Sequence, residues 1–152
     1  MAYETVKDLL EHARSFHALL SEWYRARGRE AEGGRVRMLL EYLAQREGQL
    51  ADHLEAFEAT ASKTSLNTWF TFTGAEALDQ RLKEARIAED ASLDDVVQAV
   101  LQLDETIAEL YRFLAAESPS EELREVFQSL LREEEKEESL LVRMASDLER
   151  FM

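Results

Sequence analysis

Four stretches of the chain repeat apolar side chains at intervals of three and four residues, the spacing that places them on one face of an α-helix. These stretches cover residues 6–24, 36–61, 93–114 and 123–148. Leucine, alanine, valine and aromatic residues fill the repeating positions, and charged residues fill most of the others. The pattern therefore predicts four amphipathic helices of roughly six to eight turns each.

Residues suited to helix ends separate the four stretches. Thr5 precedes the first stretch, and its side-chain oxygen can cap a helix. The pattern of the third stretch starts at Ser92. Gly33 and Gly34 interrupt the chain between the first two stretches, and Ser-Pro-Ser at 118–120 interrupts it between the last two. Short links of this kind join antiparallel neighbours, so we expect two antiparallel helix pairs.

A longer segment, residues 63–91, separates the two pairs and has a different composition. Its part LNTWFTFTG, residues 66–74, is β-branched and aromatic, which predicts extended or irregular chain. Residues 74–90 predict one or two short helices. A connection of this length can run from one end of a bundle to the other. We therefore predict an all-α, antiparallel, ferritin-like four-helix bundle, a single domain over residues 1–152, with the crossover between helices 2 and 3.

Composition narrows the classes of function. The formal net charge of -14 repels phosphate backbones and anionic membrane surfaces, so neither nucleic acid nor a membrane is an expected partner. The chain has no cysteine, which excludes disulfides, thiolate catalysis and cysteine-ligated metal sites. Its first residues carry no secretory pattern and no stretch has the length of a membrane span, which favours a cytoplasmic protein.

Carboxylates interrupt the apolar faces of three helices. Glu47 lies four residues after Leu43, and Asp104 lies four residues after Val100, so each shares the face of its apolar neighbour. Both side chains are therefore expected to point into the bundle.

The fourth helix lacks apolar residues altogether over positions 132–139. A line drawn along it from Leu131 to Val142 passes through Glu135 and Glu138, and this line predicts that both carboxylates face inward.

We predict that Glu47, Asp104, Glu135 and Glu138 meet in the interior, with Glu134 at the edge of that face. Ionised carboxylates that converge in a dry core need a cation, protonation or water to relieve them. A hard divalent cation is the most specific of these possibilities, because it binds several carboxylate oxygens at once. Alternatively, the acidic run of the fourth helix is a solvated face stabilised by charge pairs along the helix.

The same segments carry a family resemblance. LEYLAQREGQL (40–50) and LREEEKEESLL (131–141) resemble the second- and fourth-helix Glu-x-x-His segments of the rubrerythrin branch of the ferritin-like superfamily. LDETIAELYRFLA (103–115) resembles its third helix, which has Glu-x-x-Ala-x-x-x-Tyr, and DLLEHARSFHALL (8–20) is a weaker match to the first. The resemblance covers the four helices and leaves out residues 63–91.

The resemblance implies a site of two metal ions held by carboxylates and two histidines, and this chain departs from it. Glu47 and Glu135 match the second- and fourth-helix carboxylates. Leu50 and Glu138 stand where the two histidines are expected. The match therefore implies a damaged site without either imidazole.

The first and third helices depart from the family as well. Asp104 is a shortened form of the third-helix glutamate, Leu10 falls at the ligand position of the first helix, and His17 falls where an aromatic residue is usual. The remaining ligands are all oxygens, which suits iron(II), manganese, calcium or magnesium better than zinc or copper.

These residues favour a divergent rubrerythrin-like protein with a carboxylate-rich remnant metal site that has weak or no redox activity. If active, it would be a metal-dependent oxidoreductase handling peroxide or oxygen, supplied by an external electron donor, and we expect a homodimer. The alternative is a metal-free helical module with a structural or protein-interaction role. A third interpretation is storage or sensing of metal ions without turnover. No catalytic residue is assigned.

Other candidates remain open. His17 is either a hydrogen-bonded core residue or a ligand, His12 and His53 are expected at the surface, and Glu11 is a candidate substitute carboxylate. Three aromatic residues of the crossover are too apolar for a free loop, and we expect them to cover a bundle face, contact a second subunit or close a pocket. They are Trp69, Phe70 and Phe72.

Overall fold

The structure is a computed structural model that describes residues 3–31, 34–71 and 92–151. Four long helices occupy the positions of the four predicted stretches. No helix of the described part is long and apolar enough to cross a membrane. The elements follow in this order: β1 (Tyr3–Thr5), α1 (Val6–Glu30), α2 (Gly34–Thr60), α3 (Lys63–Leu66), β2 (Trp69–Thr71), α4 (Leu93–Glu117) and α5 (Glu121–Phe151).

The chain divides into two compact units, Met1–Leu82 and Lys83–Met152, which we call the N-terminal and the C-terminal unit. Each unit is built on one pair of long helices, α1 with α2 and α4 with α5. The predicted pairing of neighbours across short links is therefore confirmed within each unit.

Side-chain caps fix where the long helices begin. The Thr5 side chain accepts a hydrogen bond from the Asp8 backbone N–H, and the Asp8 carboxylate accepts one from the Thr5 backbone N–H. This reciprocal pair is a capping box. The Ser92 hydroxyl likewise accepts from the backbone N–H of Asp95 at 3.1 Å. The cap predicted at Thr5 is confirmed.

The helices of the N-terminal unit approach closely where their residues are small. The Ser21 hydroxyl of α1 donates to the Ala44 carbonyl of α2 at 2.7 Å. A Cβ on Gly48 would lie 3.4 Å from the same hydroxyl oxygen, so glycine at this position permits the approach. Farther along α1, the Arg37 guanidinium donates to the Gly28 carbonyl at 3.2 Å, which shows that the two helices run antiparallel.

A short two-stranded ladder joins the start of the chain to the start of the crossover. Strands β1 and β2 pair antiparallel with Thr5 opposite Trp69, and the Val6 N–H donates to the Thr68 carbonyl at 3.0 Å. The predicted extended chain is confirmed for residues 69–71. The Trp69 side chain is 63% exposed, and its predicted contact with a bundle face or a second subunit stays a prediction.

The rest of the predicted crossover, including Phe72 and the short helices at 74–90, lies outside the described residues.

In the C-terminal unit, the buried faces of α4 and α5 carry apolar side chains on either side of three buried carboxylates. Near the link between the two helices, the rings of Tyr111 and Phe127 stack with centroids 6.4 Å apart and planes 20° from parallel. Other core residues of this unit lie on both sides of the two rings. They are Val96, Val97, Val100, Ile107, Ala108, Leu110, Leu114, Leu123 and Leu141.

Candidate metal centre

One buried polar pair lies in the N-terminal unit. His17 of α1 and Glu47 of α2 are both inaccessible to solvent, and the His17 Nδ1 lies 2.6 Å from the Glu47 Oε2. At this distance the imidazole N–H donates to the carboxylate oxygen, which accepts a charge-assisted hydrogen bond. The prediction that Glu47 faces the interior is confirmed. His17 is a hydrogen-bonded core residue, and its role as a ligand stays a prediction.

Three buried carboxylates converge in the C-terminal unit. Asp104 comes from α4, and Glu134 and Glu137 come from α5, one helical turn apart. One oxygen of each carboxylate lies within 4.8 Å of one oxygen of the other two. Like charges this close in a buried position cannot all remain ionised without compensation, because burial and mutual repulsion both disfavour the charged forms.

Two polar groups of this cluster lack hydrogen-bond partners among the residues that the structure describes. One is the Glu137 carboxylate, neither of whose oxygens has a partner, and the other is the Tyr111 hydroxyl. A buried polar atom left in this state costs about 1–3 kcal/mol, and more when it is charged. The cluster therefore offers acceptor oxygens that the described protein groups do not fill.

The Tyr111 side chain lies close enough to the three carboxylates for their charges to change its pKa. Burial raises the pKa of Tyr111 well above its ordinary value, and the carboxylates of Glu134, Asp104 and Glu137 raise it further, in that order. Tyr111 thus stays a neutral phenol beside the carboxylates, with a hydroxyl that can donate to one of them or to a bound group.

The structure places the α5 carboxylates one residue away from the predicted positions. Glu135 is exposed and Glu138 is only half-buried, whereas Glu134 and Glu137 are buried. The expectation that Glu135 and Glu138 face the interior is wrong. Together with Ser139, Val142 and Arg143 they line an open surface depression of about 470 Å³.

The error comes from the choice of reference residues on α5. The predicted inward line runs from Leu131 to Val142, but the Val142 side chain is 53% exposed. The buried line instead joins Phe127, Glu134 and Leu141, which follow one another at seven-residue intervals, and Glu137 lies four residues before Leu141. Extending the line from the apolar first half of the helix would have found both buried carboxylates.

Glu138 interacts with Glu105 on the neighbouring helix α4. Burial raises the pKa of Glu138 to about 7, and a hydrogen bond with Glu105, the Glu105 charge and the Glu134 charge raise it too, while Arg112 lowers it. Because of its burial and of the neighbouring Glu105 carboxyl group, Glu138 keeps its proton to a higher pH than an ordinary glutamate does.

Replacing Glu138 with glutamine is expected to stabilise the metal-free protein in alkaline but not in acidic solution. The folded-state pKa lies above the ordinary value, so the folded chain holds the proton more tightly, and stability falls as pH rises toward 7. Glutamine resembles the protonated form. Because Glu138 is largely solvated, we expect a gain of only about 1 kcal/mol above pH 7, vanishing near pH 5.

Melting temperatures measured from pH 5 to pH 8 test this expectation. About 1 kcal/mol corresponds to roughly 2–4 °C for a chain of this size. Glu135→Gln is the matched control, since Glu135 is exposed on the same helix and its substitution should give the same small difference at every pH. A Glu138→Gln effect that is independent of pH would contradict the raised pKa of Glu138.

The other sequence candidates lie outside both clusters. His53 is exposed, as expected, whereas His12 and Glu11 are half-buried on α1.

Comparison with known proteins bears on the fold. No protein-family model matches the chain, and no curated protein matches it significantly. Among solved structures, the chain is similar to a Thermotoga maritima protein described as a ferritin-like diiron-carboxylate protein, with a TM-score of 0.69. The match has 15% sequence identity and covers 96% of this chain and 97% of the other.

This likeness confirms the fold predicted from the sequence, an all-α helical bundle of the ferritin-like kind. Assignment to the ferritin-like superfamily and to its rubrerythrin-like branch stays a prediction. The buried acidic cluster of the C-terminal unit has ligand atoms close enough together to hold a metal ion.

Proposed function

We propose that this protein binds a divalent metal ion through Asp104, Glu134 and Glu137. The observation that carries the proposal is the convergence of three buried carboxylates, one of which, Glu137, has neither oxygen hydrogen-bonded within the described residues. A bound dication would neutralise charges that otherwise repel one another and would fill the acceptor oxygens that the protein leaves open.

The donor set favours a hard or borderline cation. Carboxylate oxygens suit Mg²⁺, Ca²⁺, Mn²⁺ and Fe²⁺, and the chain offers no thiolate ligand, since the sequence has no cysteine. A bound cation of this kind supplies Lewis acidity, and iron or manganese also supplies redox chemistry.

The protein's own contribution is positioning and exclusion of water. Helices α4 and α5 hold the three carboxylates among apolar side chains, and Tyr111 adds a neutral hydroxyl beside them. The described residues include no group assigned to acid–base work, so we propose binding, with weak or no redox turnover, as the function.

Titration of the metal-free protein with Mn²⁺ tests the proposal. We expect Glu137→Gln to weaken Mn²⁺ binding by more than about tenfold, because loss even of a ligand's outer partner commonly weakens binding by this much. Glu135→Gln, on the exposed face of the same helix, should leave the affinity unchanged. Calorimetry, or the electron paramagnetic resonance signal of free Mn²⁺, measures both.

Two results would contradict the proposal. Absence of saturable Mn²⁺, Fe²⁺, Mg²⁺ and Ca²⁺ binding would favour the metal-free structural or interaction module. Equal losses of Mn²⁺ affinity in Glu137→Gln and Glu135→Gln would mean that the cations bind the acidic surface in general.

Absorbance changes on adding peroxide after loading with ferrous iron would separate turnover from passive binding. The same titration of His17→Ala tests that imidazole as a ligand.

A further inference from the structure

The two units repeat one another along their first helices. A single register aligns residues 6–20 of α1 with residues 100–114 of α4 so that four pairs of buried apolar residues correspond. The matching pairs are Val6 with Val100, Ala13 with Ile107, Phe16 with Leu110 and Leu20 with Leu114.

The second helices of the units repeat in the same way. One register aligns α2 with α5 so that buried Leu40 corresponds to Phe127, and buried Leu54 corresponds to Leu141. The polar positions can therefore be compared one by one, because the surrounding core positions correspond in both helices.

Two polar positions keep a polar residue in both units. Glu47 corresponds to Glu134, and His17 corresponds to Tyr111, all of them buried. In the N-terminal unit the carboxylate accepts a hydrogen bond from the imidazole at 2.6 Å. In the C-terminal unit the Tyr111 hydroxyl has no hydrogen-bond partner among the described residues, although Glu134 acts on its pKa.

Two other positions carry a carboxylate in the C-terminal unit only. Leu10 corresponds to Asp104 and Leu50 corresponds to Glu137, and both leucines are buried. Leucine offers no ligand atom. When the position shared by Glu134 and Glu47 is included, the corresponding positions hold three carboxylates in the C-terminal unit and one in the N-terminal unit.

We infer that the chain binds one divalent ion, through the C-terminal unit, and that the N-terminal unit holds no ion of its own. This inference rests on the proposed function. The Glu47 carboxylate is hydrogen-bonded to His17, and Leu10 and Leu50 fill the remaining positions with apolar groups. The description of the Thermotoga maritima protein names two irons, whereas the repeat in this chain supplies carboxylates for one.

Counting the bound ions tests the inference. Metal-free protein is equilibrated with excess Mn²⁺ and examined by native mass spectrometry and by elemental analysis after gel filtration. We expect one ion per chain. Two tightly bound ions would overturn the inference and leave the proposed function standing, whereas no bound ion would overturn both.

A pair of substitutions tests which unit binds the ion. Asp104→Leu with Glu137→Leu gives the C-terminal unit the leucine pattern of the N-terminal unit, and we expect the count to fall from one to zero. Circular dichroism should show unchanged helix content, because apolar groups replace strained charges. Retention of one tightly bound ion by the folded variant would place the ion elsewhere and contradict the inference.

The reverse exchange provides a second measurement. The double substitution Leu10→Asp with Leu50→Glu gives the N-terminal unit three carboxylates. In excess Mn²⁺ we expect the number of bound ions per chain to rise from one to two. If this variant folds only when Mn²⁺ is present, that dependence also supports the inference, because the ion compensates the new buried charges. A folded variant that still binds one ion would contradict the correspondence of the two units.

Discussion

Replacing His17 with leucine is expected to lower the free energy of unfolding by about 3–5 kcal/mol, the largest loss anticipated for any single substitution considered. The reason is local to the N-terminal unit. Glu47 is fully buried and accepts its 2.6 Å hydrogen bond from the His17 imidazole, so the substitution leaves a carboxylate in the core without that donor. Urea denaturation of the metal-free protein measures the change.

Two further variants separate this mechanism from simple loss of packing. Changing His17 and Glu47 together to leucine removes both polar groups, and we expect most of the lost stability to return, since buried pairs are often replaceable by apolar residues. His53→Leu is the control, because His53 is an exposed histidine of the same unit and should change stability by no more than about 0.5 kcal/mol. A double variant as unstable as His17→Leu would contradict the pairing.

Replacing Glu137 with leucine is expected to have the opposite sign. In the metal-free protein it should raise the free energy of unfolding by about 1–4 kcal/mol, because it removes a buried carboxylate whose oxygens have no hydrogen-bond partner among the described residues. It also relieves the repulsion with Asp104 and Glu134. The melting temperature should rise by roughly 2–4 °C for each kcal/mol.

The same variant should lose the response to metal. Mn²⁺ at a hundred times its dissociation constant should stabilise the unchanged protein by about 2.7 kcal/mol, and Glu137→Leu should gain much less. Glu135→Leu serves as the control, since its side chain is exposed and should leave both the metal-free stability and the Mn²⁺ response nearly unchanged. A lower melting temperature for metal-free Glu137→Leu would show that the carboxylate stabilises the fold instead of straining it.

Much of the architecture could be predicted from the sequence because its determinants are local. Thr5 caps its helix as expected, and apolar residues at helical spacing face the core of each unit. Glu47 and Asp104 could be placed correctly for the same reason: each is flanked by apolar residues on both sides of its own stripe, so one phase fits the whole helix.

Helix α5 shows where this reasoning fails. No apolar residue marks its inner face over residues 132–139, so the phase had to be carried across more than two turns from one end or the other. Starting from Val142 gives Glu135 and Glu138, whereas starting from Phe127 gives the buried pair, Glu134 and Glu137. A stripe of charges contains no information about its own orientation, because every glutamate in it has the same preference for water.

The contact between His17 and Glu47 could not be predicted for a different reason. Both residues could be assigned to inward faces, but their distance depends on how far α1 slides along α2. That register is set by contacts such as the one between Ser21 and Ala44, which involve residues far apart in the sequence. Helical periodicity fixes rotation about an axis and leaves translation along it undetermined.

The ladder between β1 and β2 couples residues 3–5 to the start of the crossover. Removing these three residues would remove the capping hydroxyl of Thr5 and the strand opposite Trp69 in one event. Because the Trp69 indole is exposed beside this strand, its fluorescence would report such a change directly. Changes to residues 3–5 thus act on the opening of the crossover as well as on α1.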